Sequence, residues 1–140
     1  MTTKVFVEIG PFSFKGKLLE EEAPETCAEI RKLLPIKNKV VHVRWSGEAV
    51  WIPFGDKRLD VGPENHTCYP QRGEIVVYPG GISEMEIFIP YGHCAFSSKL
   101  GRLPGNHFLT LTEGLEQLPD LGEKVLWEGA QDISIEILAD

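Results

Sequence analysis

The chain has 140 residues, of which 42% are apolar and 25% charged, enough for one globular domain with a real core and against disorder. Its formal net charge of −7 speaks against nucleic acid and against an anionic membrane surface, both of which would repel it. No apolar run approaches the ~20 residues that cross a bilayer, Met1 to Lys4 lacks the apolar region of a signal peptide, and Cys27, Cys68 and Cys94 are odd in number without a C-x-x-C pair, which fits the reducing cytoplasm.

In chain order, Val5, Val7 and Ile9 alternate with Lys4, Phe6 and Glu8 and predict a strand. Gly10-Pro11 turns the chain into a second strand, with Phe12, Phe14, Gly16 and Leu18 on one face. A helix opens on Pro24, whose missing N–H costs nothing in the first turn, and it ends at Pro35. Glu25 near its start and Arg31 and Lys32 near its end oppose the helix dipole, and Cys27, Ile30 and Leu34 share its apolar face.

Strands dominate after the helix. Val41, Val43 and Trp45 alternate with Val40, His42 and Arg44, and Ser46-Gly47-Glu48 leads into Ala49 to Phe54. Residues 55–72 read as a long excursion, a length that usually marks function or mobility. Glu74 to Tyr78 is a buried run, Met85, Ile87 and Ile89 mark a further strand, and Tyr91 to Gly105 reads as a second long loop. His107 to Thr112 is a strand, Leu115 to Leu121 a short helical turn, and Ile133, Ile135 and Ile137 the last strand. About eight strands with one long helix and one short helical turn predict a mainly β fold, a closed barrel just filled by its own side chains.

Several groups have residue types that carry chemistry. His42, His66, His93 and His107 sit on separate elements without H-x-H or H-E-x-x-H spacing, so no metal and no cofactor is expected. Glu84 and Glu86 fall on one face of a strand, read as a solvated outer face rather than an acid–base pair. Cys94 or Cys68 beside a histidine has the makings of a nucleophile pair, but nothing local activates either thiol. Trp45 and Trp51 flank one turn on opposite faces by this alternation, one in the core and the other free for a pocket or a subunit contact.

The order strand, turn, strand, helix, with Val5-Phe6-Val7-Glu8-Ile9 and Ala23-Pro24-Glu25-Thr26-Cys27-Ala28-Glu29-Ile30-Arg31, resembles the start of the cyclophilins, and Thr112-Glu113-Gly114-Leu115 is similar to a later segment of them. Arg44-Trp45-Ser46-Gly47-Glu48-Ala49-Val50-Trp51-Ile52-Pro53, Glu64-Asn65-His66-Thr67, Tyr78-Pro79-Gly80-Gly81-Ile82-Ser83-Glu84 and Gly105-Asn106-His107-Phe108 more specifically resemble a bacterial cyclophilin-like family of unknown function. The resemblance implies the fold and no established activity. Arg44 is the one position that matches the cyclophilin arginine, whereas the surrounding pattern departs, with Glu48-Ala49-Val50-Trp51 where the pocket motif stands and Gly114 where the tryptophan stands. That makes prolyl isomerase activity unlike this chain. Cyclophilin-like domains also occur in proteins that process cyclic amides and urea derivatives, an analogy of fold alone.

The expected function is therefore a pocket on the barrel for a small amide- or carboxylate-bearing molecule, bound or turned over. Arg44 is its anchor, a fork of donors suited to carboxylate or carbonyl, with Glu48, Asn65, His66 and His107 as polar contacts and Trp51 and Phe96 as the apolar wall. The rival reading is a non-catalytic accessory or homo-oligomeric subunit that buries Trp51 and Tyr91 against a second copy. A degenerate prolyl isomerase is a third.

Overall fold

The computed structural model describes residues 2–138. β1 (Lys4–Ile9) and β2 (Phe12–Leu18) form the opening hairpin, followed by α1 (Pro24–Leu33), β3 (Ile36–His42) and β4 (Gly47–Pro53). The short β5 (His66–Thr67) interrupts the first excursion, and β6 (Glu74–Tyr78) and β7 (Glu86–Cys94) come next. A two-stranded ribbon of β8 (Ser97–Ser98) and β9 (Gly101–Arg102) precedes β10 (Gly105–Glu113), a 3-10 turn (Leu115–Gln117), α2 (Leu118–Glu128) and β11 (Gln131–Ile137).

The main sheet runs β2-β1-β11-β3-β4-β7-β6-β10 and closes on itself through antiparallel pairing of β2 with β10, so the barrel has eight strands and β5 hangs on β10. Closure brings backbones close at Gly16, where a Cβ would lie 2.8 Å from the Thr110 carbonyl oxygen. Val5, Val7, Ile9, Val50, Ile87 and Phe108 are among the side chains that fill the interior. Both helices lay a stripe on this core, Cys27 and Ile30 from α1 and Leu118, Leu121 and Val125 from α2, and neither is long and apolar enough to cross a membrane.

The wall formed by β4, β7 and β6 is apolar on both faces. Val50, Ile52, Ile75, Val77, Ile87 and Ile89 point into the barrel, while Ala49, Val76, Tyr78 and Phe88 point outward into a second cluster with Phe96 and Leu103. A sheet buried on both sides reads as continuous apolar sequence, as in Glu74 to Tyr78. The covering layer is the 95–104 segment, pinned by Ala95 N–H to Ser46 O at 2.9 Å, Phe96 N–H to Cys68 O at 2.7 Å and Leu103 N–H to Phe96 O at 2.9 Å. Phe96 stacks on Phe88 with ring centroids 4.4 Å apart, worth about 0.5–1.5 kcal/mol beyond the area buried.

Three elements differ from the sequence expectation. β3 begins at Ile36, as soon as Pro35 ends the helix, because Ile36 pairs with Ile135, and it stops at His42 rather than running to Trp45. The strand placed after Met85 continues through Tyr91 to Cys94, so of the loop expected over 91–105 only 95–104 lies between long strands, and part of that folds as the β8–β9 ribbon over the second cluster. The helical turn at Leu115 grows into α2, as long as α1, despite Pro119 and Gly122. Pro119 sits in the first turn, where it is tolerated. Gly122 is required by packing, since a Cβ there would lie 2.2 Å from Cε1 of Tyr91. Gly122→Ala should therefore destabilise the domain by about 1–3 kcal/mol through overpacking, although alanine is the better helix former. Equilibrium urea unfolding measures this, and an unchanged or raised midpoint would contradict the packing account.

Candidate functional site

A cleft of about 520 Å³ opens on the outer face of the barrel, between the β3–β4 turn, the stretch before β7 and the segment around β8. Its size suits a small molecule. Ser46 sets its shape. The Ser46 hydroxyl donates to Ser97 O at 3.1 Å and accepts from Ser97 N–H at 2.9 Å, so the β3–β4 turn and the covering segment are clamped at fixed separation. His42 secures the strand end before the turn: its Nδ1 lies 2.8 Å from Val43 O and its Nε2 2.8 Å from the Tyr91 hydroxyl. Since a carbonyl only accepts, the neutral ring carries its proton on Nδ1 and takes the tyrosine proton at Nε2. The Tyr91 hydroxyl is held above its ordinary range by burial, with Glu48 and Glu123 adding to the effect.

Arg44 and Trp51 both line this cleft. Arg44 stands exposed on the bend between β3 and β4, and no ion pair engages it among the described residues. Trp51 stands on the outward face of β4, opposite Val41 of β3. Trp45 is on the same turn and 56% exposed, so neither tryptophan belongs to the barrel core, in contrast to the alternation read from the sequence; the strand that would have buried one of them ends at His42.

Glu86 is the group that sequence reasoning missed. It lines the cleft yet is only 8% exposed, not part of a solvated outer face. In the sheet it lies between Pro53 of β4 and Tyr78 of β6, neither of which supplies a cation. Burial pushes its carboxyl up to about 8, and the neighbouring Glu84 adds to that. Its signal in the sequence was the two-sided apolar run around it, which announces a covered outer face. Glu84 and Lys99 stand on the rim.

The other expected site residues lie elsewhere. Phe96 is wholly buried in the outer cluster, stacked on Phe88, and does not line the cleft. Glu48 is spent on the backbone, its Oε1 accepting the His93 N–H at 2.8 Å. Asn65, at φ 47°, donates through Nδ2 to His107 O at 2.9 Å. His66 is exposed on β5 opposite Asn106, and the half-buried His107 ring meets Thr110 Oγ1 at 2.9 Å, its pKa depressed by burial. Tyr91, offered above as a surface contact, packs against Gly122. The thiols of Cys27 and Cys94 are pushed up to about 12 and about 11 by burial, so both stay protonated at neutral pH and neither is an activated nucleophile. Among the described residues no three metal-ligating side chains converge.

The motifs Glu64-Asn65-His66-Thr67 and Gly105-Asn106-His107-Phe108 meet at the start of α1. Ala23 at the N-cap offers no side-chain acceptor. The Glu64 carboxylate replaces it, accepting the Thr26 N–H at 2.7 Å, the Thr26 hydroxyl at 2.6 Å and the Glu25 N–H at 3.1 Å. Asn106 completes the knot, with Oδ1 accepting the Glu64 N–H at 3.2 Å and Nδ2 donating to Thr26 Oγ1 at 3.1 Å and Gly62 O at 3.0 Å. These residues anchor the first excursion to the helix and hold no part of the cleft.

Two measurements check these assignments. Burial raises the Glu64 pKa, but the hydrogen bonds from Thr26 and Glu25 outweigh it and hold the carboxyl below its usual range. Its stabilisation is thus present above the unfolded-state value and lost as pH falls through the folded one. Glu64→Ala should cost about 1 kcal/mol at pH 7 and almost nothing at pH 2.5, read by denaturant unfolding of both proteins at both pH values. Glu86 has the opposite sign. The folded state holds its proton more tightly than the unfolded chain, so stability declines as pH rises from the ordinary carboxylate range through about 8. Glu86→Gln should be the more stable protein at pH 9, by at least ~1 kcal/mol, since a tenfold change in proton affinity is worth about 1.4 kcal/mol. Equal thermal midpoints across pH 5 to 9 would refute the burial of an uncompensated carboxyl.

Solved structures share this fold at low sequence identity. McbB, described in complex with tryptophan, superposes with a TM-score of 0.67 at 15% identity, over 97% of this chain and 45% of its own; the chain thus spans less than half of McbB. A hypothetical protein from Archaeoglobus fulgidus gives 0.66 at 17% identity, over 98% and 95% of the two chains. A cyclophilin-type peptidyl-prolyl cis-trans isomerase from Cryptosporidium parvum gives 0.60 at 17% identity, over 100% and 99%. These likenesses establish a cyclophilin-like barrel. No curated protein matches the chain in sequence. A family model does match, over residues 5–137, and the chain accordingly belongs to the family described as protein of unknown function DUF3830.

Proposed function

We propose that the protein binds, or turns over, a small amide- or carboxylate-bearing molecule in the outer cleft, with Arg44 as its anchor. The observation that carries this reading is an arginine left without an ion pair among the described residues, on the wall of a cleft large enough for a small molecule. A guanidinium there offers two parallel donors to a carboxylate or to amide oxygens. Trp51 supplies an apolar face against which a ring or chain can lie. Support of a looser kind comes from McbB, a protein of the same fold described with tryptophan. Of the residues expected from the sequence, Arg44 and Trp51 form the site in this reading, and Asn65, His66 and His107 do not take part.

Arg44→Ala removes an exposed side chain, so the unliganded protein should keep its thermal midpoint, the change amounting to less than ~0.5 kcal/mol. In a thermal-shift screen of aromatic carboxylates and cyclic amides, compounds that stabilise the natural protein should lose that effect in the variant. Retained stabilisation would remove Arg44 from the site.

A further inference from the structure

We infer that the cleft takes a molecule bearing a cationic amine as well as an anionic group, the amine seated on the buried Glu86 carboxyl and the anionic group on Arg44. This inference rests on the cleft reading above and narrows the class of ligand.

The argument begins with charge. The cleft is lined by Arg44 and Lys99 on one side of the ledger of sign and by Glu84 and Glu86 on the other, and no ion pair joins any of these four among the described residues. Surface charges left apart are unremarkable, but Glu86 is not a surface charge. It is more than nine-tenths buried, and no hydrogen bond from the protein reaches its carboxyl among the described residues. A buried carboxyl without a partner is costly, and native proteins rarely keep one without a use for it. Among the described residues no buried side-chain oxygen is both sealed off and unsatisfied, so the Glu86 oxygens retain an opening, and Glu86 lines the cleft.

Chemistry then selects the complement. The groups that face Glu86 are Glu84 from the stretch before β7, the Tyr78 side chain from β6, Trp51 and Pro53 from β4, and the distal cations Arg44 and Lys99. The Tyr78 oxygen already accepts the Ile82 N–H at 3.2 Å. With a second carboxylate nearby, the position favours a positive charge from outside. An ammonium donates to a carboxylate, and the indole face of Trp51 attracts a cation as well. The carboxyl is protonated in the free protein at neutral pH, so seating an ammonium transfers its proton to the buffer and leaves a carboxylate–ammonium pair. An ordinary surface carboxylate would show no such release.

The test uses three probes with the same indole body: tryptophan with both charges, tryptamine with the amine alone, and indole-3-propionate with the acid alone. Isothermal titration at pH 7 should rank tryptophan at least tenfold tighter than either single-charge probe. Glu86→Gln should weaken tryptophan and tryptamine at least tenfold and leave indole-3-propionate within about twofold. Titration in buffers of different ionisation enthalpy should show proton release on binding tryptophan to the natural protein and none with the variant. If indole-3-propionate binds as tightly as tryptophan, or Glu86→Gln changes nothing, the amine-bearing class is wrong while the cleft stands. If none of the three binds, the cleft reading falls with it. The variant keeps the shape of the carboxyl and removes only its ionisation, so its folding is not at risk, and its thermal midpoint is the control.

Discussion

The wall made of β4, β7 and β6 is mostly apolar on both faces, with Glu86 as the charged exception on the covered part of the outer one. Its apolar residues alternate between barrel interior and outer cluster. A sheet of this kind cannot face water on either side, so the outer surface must be covered by another layer. The 95–104 segment is that layer, with Phe96 stacked on Phe88 and Leu103 behind it. Because a short segment cannot cover the whole wall, its margin leaves a cleft over Trp51 and Glu86. The cleft is therefore a consequence of how the second core is roofed.

The same roof fixes the shape of the cleft. Ser46 bonds to both backbone groups of Ser97 and thereby holds opposite rims together. The His42–Tyr91 hydrogen bond fixes the end of β3, and Tyr91 is itself wedged against Gly122 of α2. The second helix thus supports the turn that carries Arg44 through packed contacts across the barrel wall. Far from this network, Glu64 and Asn106 bind the first excursion to the start of α1. That knot supplies a cap that the helix lacks in its own sequence.

Residue patterns and tertiary placement parted company at specific positions. The hairpin, α1, the β6 run and the closing strand followed from period-2 and period-3.6 alternation, because those patterns depend only on which face is buried. The segments around Glu64 and Asn106 were visible as carriers of the family resemblance, yet the use of these two residues is structural and non-local, a carboxylate capping a helix 38 residues away in sequence. Glu86 was read together with Glu84 as part of a solvated outer face, and alternation alone does not tell an outer face in water from one under a loop. Trp45 and Trp51 were assigned to opposite faces of the strands flanking one turn, but β3 ends at His42 before Trp45, and Trp51 points outward from β4. Phe96 was taken as an accessible apolar wall, whereas it is wholly buried in the outer cluster against Phe88.

The sequence by itself determined a β-rich domain and the positions of its opening hairpin, first helix and closing strand, since these follow from local alternation and turn residues, and the resemblance to cyclophilins singled out Arg44, which was read as lying on a strand. Tertiary structure alone decided which polar residues share a surface. Closure of β2 on β10 and the folding of 95–104 across the outer wall place Arg44, Trp51 and Glu86 on one cleft, and carry Asn65, His66 and His107 to another part of the barrel. The reason is physical: convergence of side chains depends on strand order and on what covers a sheet, and both are settled by contacts between residues distant in the chain.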